Sequence, residues 1–208
     1  ELPRRLPVQV SAAKTHTTRD PRLSRREAKI AALVSEAWEL ARRDGLAAIS
    51  LRDLAAAVGL RQPSLYVYFD SKLALYDALF ADGYRQLLTY LDDRDYSGTP
   101  RDVLVEFTRD LITFASADAV RYQMLFQRPI PGFEPTTESF AFALEFYERA
   151  TALAGAAGIR AQTDIDLFAA VINGLSHQQV ANDPGGHRWA DLADRAIDML
   201  LASRPQPT

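Results

Sequence analysis

Residues 50–72, SLRDLAAAVGLRQPSLYVYFDSK, leave the chain little conformational choice. Ser50 followed by Asp53 reads as a capping box opening a helix over residues 51–58. Gly59 ends that helix after about two turns, because a residue without Cβ takes φ > 0 at little cost. Pro63 suits the first turn of a third helix, where its missing N–H is not needed, and that helix spans residues 64–69. Asp70 and Ser71 then offer an N-cap for a long helix from Lys72. Leu51, Leu54, Ala55 and Val58 face inward, and Leu60, Leu65 and Phe69 anchor the third helix on the second. Two short helices reversing at a glycine are the mechanics of a helix-turn-helix. An ordinary helical hairpin whose Tyr66 and Tyr68 cap a core has the same spacing.

The rest of the chain is helical in pattern. Ile30, Leu33, Val34, Ala37, Trp38 and Ala41 recur at spacings of three and four, giving one apolar face from Ser24 onward. Arg42 and Arg43 suit the negative end of that helix, and Gly45 stops it. Further helices are expected over residues 72–91, 101–117, 119–127, 136–155, 162–182 and 188–203. Polar or Pro/Gly-rich links separate them at residues 92–100, 129–132 and 182–186. No strand-like alternation of useful length competes. The expected fold is all-α with about nine helices: a flexible basic arm (1–21), a three-helix head (22–72) and a helical body (73–208). The arm, with Arg4, Arg5, Lys14 and Arg19, reads equally as a solvated tail.

Charge is divided along the chain. Residues 1–72 hold 13 Lys and Arg against 8 Asp and Glu, while the remainder carries a net −8. A basic head on an acidic body puts any polyanion at the head. The 208 residues contain no cysteine, which removes disulfides, thiolate metal sites and thiol nucleophiles. No apolar run approaches the ~20 residues of a membrane span, and no signal core opens the chain, so a cytoplasmic location is expected. Glu106, Asp110, Glu145 and Glu148 lie on amphipathic patterns, and His16, His177 and His187 stand in unrelated contexts. No HExxH, G-x-S-x-G, P-loop or dinucleotide fingerprint occurs, so neither an enzyme nor a metal or other cofactor is expected.

The residues of the 50–72 stretch also carry a resemblance. Gly59, Leu65, Tyr66, Phe69, Ser71 and Lys72 stand in register with the motif that ends the DNA-binding unit of the TetR family of bacterial repressors. The preceding helix with Trp38 and the link from Gly45 to Ser50 match as well, so the similarity covers about residues 24–75. A turn-rich run at residues 183–189, DPGGHRW, resembles a feature of some members. The resemblance implies phosphate contacts from Ser50, Tyr68 and Lys72, and base contacts from Arg61, Gln62, Ser64 and Tyr66. Val67 departs from the polar residue many members carry, so the operator is not deducible.

It also implies a ligand held among the body helices, and the body is rich in rings. Tyr84, Phe107, Leu111, Phe114, Tyr122, Met124, Phe126, Phe140, Leu144 and Tyr147 are candidates for an apolar pocket, or for core. Asn173 and His177, one helical turn apart, could orient a ligand or sit satisfied at an interface. Ile165, Phe168, Ile172 and Leu175 on one helix, with Leu192, Ala196, Met199 and Leu200 on the next, read as an isologous dimer face. The resulting expectation is a homodimeric repressor. It would bind a near-palindromic double-stranded operator and release it when a small apolar or aromatic effector shifts the helix that starts at Lys72. A TetR-like DNA-binding protein with a nucleoid or division role is the alternative.

Overall fold

A computed structural model describes residues 21–203, and within them the chain is all-helical. The head consists of α1 (Pro21–Asp44), a 3-10 turn (Leu46–Ala48), α2 (Leu51–Ala57) and α3 (Gln62–Leu65). The body consists of α4 (Lys72–Asp92), α5 (Pro100–Ala117), α6 (Ala119–Phe126), α7 (Thr137–Ala156) and α8 (Gln162–Asn182), then a 3-10 turn (Ala190–Leu192) and α9 (Ala193–Ala202). The arm expected over residues 1–21 lies outside the described residues, apart from Pro21 at the start of α1.

The apolar stripe of α1 is inward as its spacing requires, with Leu33, Val34, Ala37, Trp38 and Ala41 all buried. Between α2 and α3 the backbone turns at Gly59, which takes φ +68°. Around it the Leu60 amide donates to the Ala55 carbonyl (2.8 Å) and the Gly59 amide to that of Ala56 (3.2 Å). These paired bonds are a Schellman turn, so the last carbonyls of α2 are satisfied and the chain reverses at once.

Two local readings change. Ser50 caps α2 by accepting from the Asp53 amide (3.0 Å), but its own hydroxyl donates to the Asp53 carboxylate (2.5 Å). Asp53 therefore does not complete the reciprocal box, whereas Thr99 and Asp102 do so at the start of α5. The third helix begins earlier and ends earlier than residues 64–69. After Leu65 the Tyr68 amide bonds back only three residues, to the Leu65 carbonyl (2.9 Å), and the chain tightens into a turn. The Phe69 amide still reaches the Leu65 carbonyl (3.0 Å), but Tyr66 and Val67 face outward and add no packing that would extend the helix further.

α5 is the axis of the body, with Leu104, Phe107, Thr108 and Ile112 fully buried and α6, α7, α8 and α9 packed around it. The buried Thr108 hydroxyl is satisfied by the Leu104 carbonyl (2.8 Å). α9 is tied to α5 through Arg101, which donates to Asp198 (2.8 Å), and through Arg109 to Asp194. The single last helix expected over residues 188–203 is instead a 3-10 turn followed by α9. Buried Gln179 explains the break: its side-chain oxygen accepts from the Trp189 (2.8 Å) and Ala190 (3.3 Å) amides and redirects the chain there.

At Gly59 no heavy atom would meet an added Cβ, so a substitution is opposed by the backbone angle alone. Gly59→Ala should therefore cost about 1–2 kcal/mol in urea unfolding, the penalty for an L-residue in the left-handed region. Unchanged stability would remove the turn from the forces shaping the head.

Candidate nucleic-acid interface and internal cavity

α3 and the turn after it divide cleanly by burial. Leu65 and Phe69 point into the head, while Arg61, Gln62, Ser64 and Tyr66 are exposed together with Val67, which is 68% exposed. Tyr68 is half-buried against the core. Among the described residues, the side chains of Arg61, Gln62, Ser64, Tyr66 and Tyr68 make no hydrogen bond, so their donors and acceptors face solvent uncommitted. A cationic fork, an amide, a hydroxyl and a phenol on one small surface can pair with base edges and phosphates.

The other two expected contacts already hold the head together. Ser50 is engaged on both sides by Asp53, as described above. The Lys72 ammonium donates to the Ala47 carbonyl (2.9 Å) and lies 5.5 Å from the centre of the Tyr76 ring. Tyr76 in turn donates its hydroxyl to the Leu46 carbonyl (2.7 Å), so the first turns of α4 grip the link between α1 and α2.

Polar contacts also join α1 to the body. Trp38 Nε1 donates to Asp82 of α4 (2.9 Å), and Arg42 makes a two-pronged contact with Asp118 Oδ2 (3.0 and 2.7 Å). Asp118 caps α6 by accepting from the Arg121 amide (3.0 Å). The Arg121 guanidinium lies 3.8 Å from the centre of the Phe114 ring and donates to Gln86 (2.7 Å), which donates to Asp82 (2.6 Å). Burial lowers the Arg121 pKa, and its Nε has no hydrogen-bond partner among the described residues.

On the far side of Phe114 lies a cavity of about 90 Å³. Its walls come from α5 (Phe107, Leu111, Phe114, Ala115), α6 (Tyr122, Phe126), α7 (Phe146, Tyr147, Ala150, Thr151) and α8 (Ile165, Phe168, Ala169, Ile172, Asn173, Ser176). Burial raises the pKa of Tyr122, whose hydroxyl donates to the Asn173 carbonyl (3.2 Å).

Of the pocket candidates, Phe107, Leu111, Phe114, Tyr122, Phe126, Tyr147 and Asn173 do meet here. Tyr84 and Met124 are buried but do not line the cavity. Burial raises the Tyr84 pKa as well, and its ring packs against Phe80, Phe126 and Phe146. Phe140 and Leu144 sit on the exposed side of α7, and His177 is exposed with a ring nitrogen 3.1 Å from Gln127 Nε2. Phe146 joins the lining residues, and Ala150, Thr151 and Ser176 also line the cavity although none stands out from the periodicity of its helix.

The stripe assigned to pairing is divided in the same way. Phe168, Ile172 and Leu200 are buried within one chain, and Ile165 lines the cavity, so these four offer a partner little surface. Leu175 and Ala196 are half-buried, while Leu192 and Met199 (63% exposed) face outward, joined by the unanticipated Leu167.

Residues 33–79, the head with the first turns of α4, match the family model of the bacterial regulatory proteins of the tetR family. This segment carries the DNA-binding head of the tetR family. No curated protein matches the chain. Solved structures show that the body has the tetR fold too. TetR family transcriptional regulator PfmR from Thermus thermophilus is 20% identical, with a TM-score of 0.60 over 84% of this chain and 99% of that one. A Rhodococcus protein of unknown function is 21% identical, with a TM-score of 0.67 over 85% and 95%. FadR from Bacillus subtilis, solved with stearoyl-CoA, is 14% identical, with a TM-score of 0.60 over 83% and 98%. At these identities the likeness is one of fold.

The contact between the tetR head and the α5–α6 corner can be measured directly. Asp118→Ala removes an N-cap and the Arg42 partner together, and should lower stability by about 1–2 kcal/mol in urea unfolding. A loss below about 0.3 kcal/mol, the scale of ordinary surface substitutions, would make this contact ornamental.

Proposed function

We propose that this chain is a homodimeric, ligand-responsive transcriptional repressor of the tetR type. One observation carries the reading: an uncommitted donor-and-ring surface on α3 and the turn after it is joined to an apolar cavity by α4 and by the α5–α6 corner. The excess of 13 basic over 8 acidic residues in residues 1–72 favours DNA at that end. In this reading Arg61, Gln62, Ser64 and Tyr66 meet bases and Tyr68 meets phosphate. The second copy docks on the outward residues Leu167 of α8, Leu192 of the 3-10 turn before α9, and Met199 of α9. An isologous pair places two α3 elements on a near-palindromic operator. An effector in the cavity presses on Phe114 and α6, moves α4, and changes the separation of the heads. FadR, bound to stearoyl-CoA, is a protein of this fold with a small-molecule partner. The cytoplasm, where chromosomal DNA is reached, is the proposed location.

Selection of duplexes from a randomised library by the purified full chain tests the reading. Enrichment of a near-palindrome is expected, and absence of any enriched sequence would overturn it. On the selected duplex, Arg61→Ala should cost about 1–3 kcal/mol of affinity, with a smaller loss on random DNA. Lys72→Ala separates two roles. A salt dependence of log Kd shallower by about one shows a phosphate contact, whereas an unchanged slope confines Lys72 to its bond with Ala47.

A further inference from the structure

We propose that the cavity takes an uncharged molecule of about one ring bearing a single hydroxyl or carbonyl group, and that Ser176 recognises that group. The proposal rests on the effector reading above and gives that effector a chemical class.

Charge is decided by the walls. No Asp, Glu, Lys, Arg or His is among the residues lining the cavity, and Phe107, Phe114, Tyr122, Phe126 and Phe146 all turn rings towards it. An ionised ligand group would lose its water there and meet no counter-charge, a cost that apolar contact does not offset. Size is decided by volume. The cavity measures about 90 Å³. An engineered apolar cavity of ~150 Å³ holds benzene, so one ring is accommodated here only with a small outward shift of a wall. Tyr147, on the wall and 45% exposed, has room to make it, its side chain held among the described residues only by a long bond from Gln162 Nε2 (3.5 Å).

The polar requirement comes from α8. Most hydroxyls on the walls are already committed: Tyr122 donates to the Asn173 carbonyl (3.2 Å) and Thr151 to the Tyr147 carbonyl (2.9 Å). Ser176 is different. It is only 3% exposed, it lines the cavity, and among the described residues its hydroxyl has no hydrogen-bond partner. Thr108 and Thr113 satisfy theirs on the carbonyl four residues back, a solution a helical serine can also use but Ser176 does not. A wall hydroxyl without a protein partner is open to a ligand oxygen in the cavity, which would complete it. Asn173, one turn earlier on the same wall, adds a side-chain amide without a partner among the described residues. Most of the rings thus stand on α5, α6 and α7, and the uncommitted polar groups on α8.

Calorimetric titration of the full chain with phenol, toluene and benzoate tests each part. Phenol should bind more tightly than toluene, and benzoate should not bind. Ser176→Ala should weaken phenol about five- to tenfold, the worth of one neutral hydrogen bond, and leave toluene within about twofold, which also reports an intact cavity. Benzoate binding as well as phenol would overturn the neutral class. Unchanged phenol affinity in Ser176→Ala would overturn the role of Ser176, and failure of all three to bind the native chain would overturn the one-ring size. DNA affinity is a separate readout. Phenol bound without loss of DNA affinity leaves the cavity assignment standing and sinks the effector reading. DNA release by a charged ligand alone does the reverse.

Discussion

One unbroken helix belongs to both halves of this molecule. The first turns of α4 hold the head through Lys72 and Tyr76, which bond the Ala47 and Leu46 carbonyls, and Asp82 takes the indole N–H of Trp38. Its last turn belongs to the body, where Arg149 of α7 reaches the Leu91 carbonyl (3.0 Å). The buried side chains of head and body consequently form one continuous cluster. Because an α-helix resists bending except at defined breaks, displacement at one end of α4 is carried to the other. The short helices of the head have little stability of their own and depend on this support.

α6 presses on that helix where there is least room. A Cβ at Gly83 would stand 2.9 Å from Leu125 Cδ2, so any other residue there would require the Leu125 side chain to shift. The same short helix contributes Tyr122 and Phe126 to the cavity and begins at Asp118, the residue that holds Arg42 of the head. Phe114 separates the cavity from Arg121, so the cavity wall and the polar chain from Arg121 through Gln86 and Asp82 to Trp38 share one ring. Packed interiors shift between discrete arrangements instead of yielding smoothly, which suits this corner to a two-state response.

The head was far more legible than the body. Gly59, the Ser50 cap and the inward Leu54, Leu65 and Phe69 are dictated by local backbone geometry and a short-range pattern, and each lies where its residue type requires. The outward set on α3 followed from the same register. In the body, the stripe of Phe168 and Ile172 reads as a dimer face, yet both are buried within one chain, because a stripe does not say which neighbour it meets. Two helices against α5 and two helices against a second chain demand the same spacing. Ser176 carried no signal, because a serine facing a cavity and one facing water differ only in what surrounds them.

The sequence by itself determined the all-helical fold, most of its helix boundaries and the residues α3 turns to solvent, since these depend on interactions among residues a few positions apart. Only the tertiary structure decided that Lys72 and Ser50 are engaged inside the head, and which rings enclose space instead of filling it. It also decided that the α5–α6 corner is fastened to α1. These facts join Trp38 to Asp82 and Arg42 to Asp118, across 44 and 76 residues of chain, and no local pattern records a contact made at such distance.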